Sequence, residues 1–232
     1  MKKFTVYILC CCLVWVSCQR KEQQNTATPP PPNTTSSPAN GEPTATPPTD
    51  SNTQSRSVTM PATPDPQSVI VKQSNEVLVL LAQKKLAELM PYIHTTKGVR
   101  FSPYSHINTK DRILQAKDVV SATKDTKKYL WGEFDGSGEP MELTFGDYYK
   151  RFVYDKDYQN PKVRKTFNKI NDSGNSISNI KTVFPDAVFY EYYVAGSNPD
   201  YGGMDWGSLT LVWEQENGQW KLVGIVHGQW TI

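Results

Sequence analysis

The chain has 232 residues, and its 25 lysines and arginines nearly balance its 23 aspartates and glutamates. A formal net charge of +2 excludes the strong basic field typical of nucleic-acid-binding proteins, so we expect no nucleic-acid partner. All four cysteines lie within the first 18 residues. The rest of the chain therefore has no disulfide and no cysteine metal site, and a domain there depends on its apolar core for stability.

The N-terminus has the pattern of a secretory signal. Two lysines follow Met1, and residues 4–17 form an uncharged apolar run of 14 residues, shorter than the roughly 20 residues of a membrane-spanning helix. The stretch "LVWVSC", which ends at Cys18, resembles the lipobox of bacterial lipoproteins. This resemblance implies that residues 1–17 are a lipoprotein signal peptide, that Cys18 carries acyl chains such as palmitate, and that the protein is anchored to a bacterial membrane, outside the cytoplasm. The alternatives are an uncleaved anchor and cleavage by an ordinary signal peptidase.

Residues 18–66 begin with the lipidated Cys18 and continue as a linker. The 48 residues from Gln19 to Pro66 hold 11 of the 17 prolines of the chain, and threonine, serine, asparagine and glutamine fill most of the rest. This composition offers almost no apolar side chains to bury. It predicts a disordered stalk between the lipid and a folded domain.

Residues 67–232 are predicted to form a single α+β domain. The order Asp65-Pro66 suits an N-cap followed by proline in the first turn, and apolar residues at helical spacing continue from there toward Pro91. Ser74-Asn75 is the expected position of a break or a second helix start. A further helix is expected around residues 113–124.

Strand and turn patterns dominate the second half of the domain. The stretch "YLWGEFDGSGEPMELTF" predicts a hairpin with a glycine-rich loop at 135–140, and "GDYYKRFVY" predicts a short helix. Residues 188–194 alternate in the manner of a half-buried strand.

The clearest local pattern is "SLTLVWEQENGQWKLVGIVH", in which Asn217-Gly218 suits a two-residue type I′ turn. A hairpin with this turn places three pairs opposite each other: Glu214 with Lys221, Trp213 with Leu222, and Val212 with Val223. The same register predicts that His227 shares one face of the last strand with Ile225 and Val223.

Four stretches of the domain resemble the nuclear transport factor 2-like superfamily: "LAELMPYIHTTKGVRFSPY", "WGEFDGSGEPMELTF", "MDWGSLTLVWE" and "GQWKLVGIVHGQWTI". They are also similar to an uncharacterised group of bacterial secreted proteins and lipoproteins. The resemblance implies an N-terminal helix packed on a curved antiparallel sheet, in a cone-like arrangement. It implies no particular activity.

Candidate site residues come from isolated positions, because no catalytic motif is present. Asp205, in a glycine-rich loop, and His227, on the last strand, could form an acid–base pair near a cavity. The alternative is that Asp205 is a turn residue and His227 is structural. The candidates for ligand binding are polar and aromatic side chains: His94, Arg100, Tyr104, Trp131 and Trp206.

The sequence as a whole predicts a lipid-anchored protein of the cell envelope whose domain is a ligand-binding or protein-interaction module. Its partner would be another envelope protein, a cell-wall fragment or a small molecule, and the membrane is contacted through the N-terminal lipid. The alternative is a small-substrate enzyme of the isomerase, dehydratase or hydrolase type. The three histidines come from separate segments, so we expect no metal, and no motif indicates a cofactor.

Overall fold

The computed structural model describes residues 65–171 and 177–231. The predicted signal peptide 1–17, Cys18 and the linker up to residue 64 lie outside the described residues. The helices of the described part are α1 (Pro66–Ala82), α2 (Ala116–Ala122), α3 (Phe145–Phe152) and α4 (Ile180–Val183), with 3-10 helices at Leu86–Tyr92 and Pro199–Tyr201. The strands are β1 (Val99–Ser102), β2 (Ile113–Leu114), β3 (Lys128–Glu133), β4 (Pro140–Thr144), β5 (Arg164–Phe167), β6 (Val188–Val194), β7 (Gly207–Glu216) and β8 (Gln219–Gln229).

Six of these strands form one sheet in the order β2-β1-β8-β7-β6-β5, and β3 pairs with β4 in a second, two-stranded sheet. The pairings are antiparallel except that β1 runs parallel to β8. The described domain is therefore α+β, with a mostly antiparallel sheet and few helices, as predicted. None of the helices in residues 65–171 and 177–231 is both long and apolar enough to cross a membrane.

Helix α1 begins as the sequence predicts. The Asp65 side chain accepts a hydrogen bond from the Ser68 N–H at 3.1 Å, and Pro66 occupies the first turn. The helix ends at Ala82 instead of continuing toward Pro91, because Lys84 takes a positive φ of 56° and the chain then enters a 3-10 helix. That left-handed residue breaks the helical hydrogen-bond ladder.

Ser74 and Asn75 do not interrupt α1, and the break expected there is wrong. The Ser74 hydroxyl accepts a hydrogen bond from the Trp213 indole N–H at 3.0 Å, and the Asn75 amide oxygen accepts one from the Tyr192 hydroxyl at 3.0 Å. Both partners stand on the sheet, on β7 and β6. The two polar residues therefore attach the helix to the sheet, a tertiary role that no local pattern reveals.

Most of the other local predictions agree with the structure. Strands β3 and β4 form the predicted hairpin around a loop at 134–139, and α3 is the predicted short helix that follows it. Helix α2 lies within the stretch 113–124. On β6, Tyr190 and Tyr192 pack into the main apolar core and Phe189 packs into a separate cluster, so the side chains alternate as expected, but residues 189–192 are all buried and the half-buried strand predicted here is wrong: both faces of β6 are covered.

The β7–β8 hairpin has the predicted turn, with φ of 52° at Asn217 and 76° at Gly218. The predicted pairs Trp213–Leu222 and Glu214–Lys221 are confirmed. The third pair is wrong, because a bulge at Val223 shifts the register and sets Val212 opposite Gly224.

The bulge also changes the faces of β8. Val223 packs with Val226 in a smaller apolar cluster, whereas Ile225 belongs to the main core. His227 contacts Phe152 of the main core, with ring centroids 5.6 Å apart in an edge-to-face arrangement. His227 therefore shares its face with Ile225, and its predicted alignment with Val223 is wrong.

Glu214 and Lys221 lie opposite each other in the hairpin, but each binds a residue outside it. The Glu214 carboxylate binds the Lys97 ammonium, and Lys221 donates to the backbone carbonyl of Pro91 at 2.8 Å. Both contacts reach from the hairpin to the segment between α1 and β1. They fix that segment, from which the chain enters β1.

The main core lies where α1, α3 and the β3–β4 hairpin pack on the six-stranded sheet. Trp131 and Tyr148 stack at its centre, with ring centroids 4.0 Å apart, and both are fully buried. The smaller cluster contains Ile107, Ile180, Phe189, Val212, Val223 and Val226. Since Ile107 belongs to it, the loop 103–111 is anchored at this cluster.

Candidate functional site

A cleft opens between the loop 103–111 and the loop that joins β3 to β4. Its volume is about 430 Å³, and it is lined by Tyr104, His106 and Asp111 on one side and by residues 133–138 on the other. The lining carries three carboxyl side chains, those of Asp111, Glu133 and Asp135, so we refer to it as the acidic cleft. A neighbouring cavity of about 390 Å³ shares Tyr104 with it.

The loop 103–111 is held on both sides. Asn179 donates to the carbonyl of Ile107 at 2.9 Å and accepts from its N–H at 2.7 Å. From the sheet, Arg100 Nη1 donates to the carbonyls of Thr109 at 3.0 Å and Asp111 at 2.9 Å. These contacts present the loop as a rigid wall of the cleft.

Asp111 closes the loop with a tight turn at the base of the cleft. Its Oδ2 accepts from the Asn108 N–H at 2.9 Å, and its own N–H donates to the Asn108 carbonyl at 3.0 Å. The residue is only 5% exposed, which is unusual for an aspartate.

Burial raises the pKa of the Asp111 carboxyl from 3.8 to about 6, although the Ser102 hydroxyl, the Asn108 N–H and the charges of Arg100 and His106 lower it in part. A carboxyl in this range exchanges protons near neutral pH. It can therefore act as a hydrogen-bond acceptor or donor toward a group in the cleft.

Gly132 lets β3 approach this carboxyl. Its φ is +134°, and a Cβ at this position would stand 3.1 Å from Asp111 Oδ1. A glycine inside a strand often marks such a close approach. It is the one sequence signal that could have pointed to Asp111.

Ser102 and Tyr148 are fully buried and lie outside the lining of the cleft. The Ser102 hydroxyl acts on the Asp111 carboxyl and lowers its pKa, whereas Tyr148 Oη has no hydrogen-bond partner within the described part of the chain. Burial raises the pKa of the Tyr148 hydroxyl well above its usual range, and the charges of Asp111 and Tyr104 raise it further.

Tyr104 is the one sequence-predicted ligand candidate that lines the cleft. Its hydroxyl accepts the Asp135 N–H at 3.1 Å and keeps its own proton to donate, and its ring packs edge-to-face on Phe152 at 5.8 Å. Arg100, a second candidate, supports the loop from below. Asp111 itself was not among the residues predicted from the sequence.

The structure places the other ligand candidates elsewhere. His94 Nδ1 accepts the Lys97 N–H at 3.2 Å and lies 3.2 Å from Glu216 Oε1, in the turn before β1. Trp131 is fully buried and donates to the Leu143 carbonyl at 2.9 Å. Trp206 is 6% exposed and stacks on a tyrosine of β6.

Asp205 and His227, predicted as an acid–base pair, each contact other residues. The Asp205 carboxylate accepts from the N–H groups of Ser197 and Asn198, at 3.0 and 3.1 Å. His227 is fully buried, with Nε2 3.3 Å from Asp155 Oδ1. Its Nδ1 lies 3.1 Å from the carbonyl oxygen of Pro103, the first residue of the cleft wall. Catalysis by the pair remains a prediction.

Across residues 65–171 and 177–231, no group of three metal-ligating side chains is assembled. No protein-family model matches the chain, and no curated protein matches it either.

Proposed function

We propose that this chain is a lipid-anchored protein of the bacterial cell envelope and that its domain binds a small polar ligand in the acidic cleft. Cys18 carries the lipid, and residues 18–66 hold the domain away from the membrane. The apolar run before Cys18 and the lipobox-like "LVWVSC" support the anchor. The ligand is a cell-wall fragment or another small molecule of the envelope, and a second envelope protein is the remaining option.

We also propose that the domain has the cone-like fold of the nuclear transport factor 2-like superfamily. The four stretches that resemble this superfamily support the proposal, as does a long N-terminal helix packed on a mostly antiparallel sheet.

The observation that carries the binding function is the buried Asp111 carboxyl at the base of the cleft. Burying a carboxyl costs free energy unless partners compensate it, and burial raises the pKa of this carboxyl to about 6 in spite of the Ser102, Asn108, Arg100 and His106 contributions that lower it. Buried carboxyls with a raised pKa that line a cavity are typical of functional sites.

The second candidate function is a small-substrate enzyme. The pKa of Asp111 near 6 favours it, because a general acid or base works best when its pKa is near the working pH. In that case Asp111 would be the proton-transfer group, and Asp205 with His227 remains the alternative pair.

The test uses the full chain, expressed with its own N-terminus and solubilised in detergent micelles. Soluble fragments released from peptidoglycan by a muramidase are added, and saturation-transfer NMR records which of them contact the protein. We expect contact signals that fall at least fivefold in Asp111→Asn and in Tyr104→Ala, but not in Asp186→Asn, an exposed aspartate that does not line the cleft.

Unchanged signals in both cleft variants would show that the ligand binds elsewhere, and no signal from any fragment would remove cell-wall fragments as ligands. New product peaks that disappear in Asp111→Asn would favour the enzyme.

A further inference from the structure

A second groove lies at the start of α1, between this helix and the turn of the β7–β8 hairpin. Its volume is about 490 Å³, and Pro66, Val69 and Gln73 line it from successive turns of the helix. The rings of Tyr92 and Trp220 line it as well, so we refer to it as the aromatic groove. It does not share a lining residue with the acidic cleft.

Contacts among its surroundings hold the aromatic groove in shape. The Tyr92 hydroxyl donates to Glu76 Oε2 on α1 at 3.1 Å, and the Tyr92 ring packs edge-to-face on the buried ring of Trp213. Lys221, on the hairpin, donates to the carbonyl of Pro91 at 2.8 Å. These contacts join the helix, the 3-10 helix and the hairpin, so the shape of the groove does not depend on a ligand.

The lining suits an uncharged chain segment that is rich in proline. Lys221 is the one charged side chain in the described lining, and it is already bound to Pro91. Grooves lined by aromatic rings bind proline-rich segments in the polyproline II conformation, in which the backbone carbonyls have no partners within the segment. Gln215 and Gln219 are exposed lining residues whose side-chain amides can donate to such carbonyls.

A segment of this kind directly precedes the groove in the chain. Residues 61–64 have the uncharged sequence "PATP", and Pro66, which follows them after Asp65, lines the groove. Pro64 stands just before the N-cap Asp65, and Val69 is the fourth residue of the helix. Apolar residues at these two positions often pack against each other and fix the direction from which the chain enters a helix. Because Val69 is half-buried in the groove, this pairing would direct residues 61–64 into it.

The length of the segment agrees with that of the groove. Four residues in polyproline II span about 9 Å, and α1 rises about 10 Å between Pro66 and Gln73. A segment tethered beside its site also has an effective concentration of about 1 mM or more. A contact that would be weak between separate molecules is therefore sufficient here.

We propose that residues 61–64 dock in the aromatic groove of their own chain as a short polyproline II segment. The last residues of the linker then belong to the folded domain, and the stalk ends near residue 60. The proposal does not depend on the acidic cleft or on its ligand, so the two can fail separately.

Disulfide trapping tests the docking in the full chain, solubilised in detergent micelles. Thr63→Cys is combined with Gln219→Cys, at an exposed lining residue, and copper phenanthroline is added as the oxidant. Mass spectrometry of the digested protein measures how fast the peptides that carry residues 63 and 219 become joined. We expect a cross-link within one chain, formed about fivefold more slowly when Pro61→Ser and Pro64→Ser are added, because tethering alone then brings the thiols together.

The matched control adds Pro43→Ser and Pro47→Ser instead, in the similar stretch "PTATP" at 43–47, and should leave the rate unchanged. A mixture of the two single-cysteine chains separates docking within a chain from docking between copies, and it should give no cross-link between residues 63 and 219. The circular dichroism melt of each variant checks its folding.

Iodide quenching of tryptophan fluorescence is the second measurement and needs no cysteine. Trp220 is half-buried and lines the groove, so Pro61→Ser with Pro64→Ser should uncover it and raise the quenching about twofold. The increase should disappear in a Trp220→Phe background.

Three results would overturn the docking: no cross-link, a cross-linking rate that Pro61→Ser and Pro64→Ser leave unchanged, or quenching that these two substitutions do not raise. A cross-link that forms equally fast in the mixture of single-cysteine chains would also overturn it, and would identify a second copy of the chain as the occupant.

Discussion

The Nε2 atom of His227 lies 3.3 Å from Oδ1 of Asp155, and the imidazole ring is fully buried. On its other side, Nδ1 lies 3.1 Å from the carbonyl oxygen of Pro103. Both neighbours are acceptors, so the ring can donate to both only when each nitrogen carries a proton. The Asp155 carboxylate also accepts from the Tyr158 hydroxyl at 2.6 Å. This network joins β8 to the segment after α3 and to the first residue of the cleft wall.

Removal of the Asp155 charge should therefore change stability with pH. Burial alone would raise the pKa of this carboxyl, but the hydrogen bonds and charge of His227 and the Tyr158 hydroxyl hold it below its ordinary value. A carboxyl with a lowered pKa stabilises the fold above the ordinary aspartate pKa of about 3.9, and that stabilisation is lost as the pH falls through the lowered pKa.

We expect Asp155→Asn to lower the free energy of unfolding by about 2–4 kcal/mol at pH 7, and to unfold with a weaker dependence on pH below 4 than the wild type. Urea denaturation at pH 3, 5 and 7 measures both effects, with Asp186→Asn as the control. Coincident curves of stability against pH for the wild type and Asp155→Asn would show that the contact with His227 does not stabilise the fold.

Gly218→Val tests the turn of the β7–β8 hairpin. Gly218 has a φ of +76°, and a Cβ there would meet no atom within 4 Å, so any destabilisation comes from the backbone alone. A β-branched residue resists positive φ, and we expect a loss of about 1–3 kcal/mol in urea denaturation. Asn217→Gly is the matched control and should change stability by less than about 0.5 kcal/mol, because a type I′ turn accepts glycine at both central positions. A neutral Gly218→Val would contradict the turn assignment.

Trp213→Ala should be the most destabilising change in this hairpin. The indole is fully buried, faces Leu222 across the strand pair, and packs edge-to-face on Tyr92 at 6.4 Å. Its removal leaves a cavity, with an expected loss of about 3–5 kcal/mol. Ser74→Ala keeps the ring but leaves its N–H without an acceptor, so a smaller loss of about 1–3 kcal/mol is expected. An equal loss for both variants in urea denaturation would mean that the hydrogen bond, and not the packing, dominates at this site.

Asp111→Asn should stabilise the domain at neutral pH. The folded-state pKa is about 6 against 3.8 for an unperturbed carboxyl, so between these values the folded state binds more protons than the unfolded state. Stability therefore falls as the pH rises through this window, and stays lower above it. The variant lacks this penalty, so its advantage over the wild type should grow by up to about 3 kcal/mol from pH 4 to pH 7.5. Thermal melts at the two pH values measure the change, and an advantage that does not grow with pH would contradict the raised pKa.

Cys18→Ala tests the lipid anchor. If the signal is cleaved before Cys18 and its sulfur is acylated, the wild type partitions with membranes, and the variant is neither processed at that bond nor acylated. Membrane fractionation, combined with metabolic labelling by palmitate, measures both properties. A variant that is still cleaved at the same bond and remains in the membrane fraction would refute lipidation at Cys18.

Local sequence patterns predicted the elements that depend on local chemistry. The Asp65 cap and the Asn217-Gly218 turn follow from residue types within four positions of each other, and both are present. The bulge at Val223 is not local, because it places Gly224 between Val212 and Phe184, where a Cβ would lie 3.1 Å and 3.4 Å from their side chains. Packing between distant segments decides that register, so the sequence could not reveal it.

The candidate site was harder to predict for the same reason. The stretch "NTKD", which ends at Asp111, has the composition of an exposed turn, and such a turn favours a solvated carboxylate. Its burial comes from β3, which lies about twenty residues later in the chain and approaches through Gly132. Tyr104 was predicted as a ligand contact from its residue type alone, and its position in the cleft follows from the same approach of the two loops.

The position of β8 determines when the domain can fold. Strands β7 and β8 form the middle of the six-stranded sheet, yet they are the last two strands in the chain. The hydrogen bond from Trp213 to α1 and the pairing of β1 with Ile225 and Val226 can form only after residues 207–229 have been synthesised. Contacts this far apart in sequence slow the search for the native state, typically to milliseconds or seconds. The chain must therefore be made almost to its end before β1 joins the six-stranded sheet and Trp213 can contact α1.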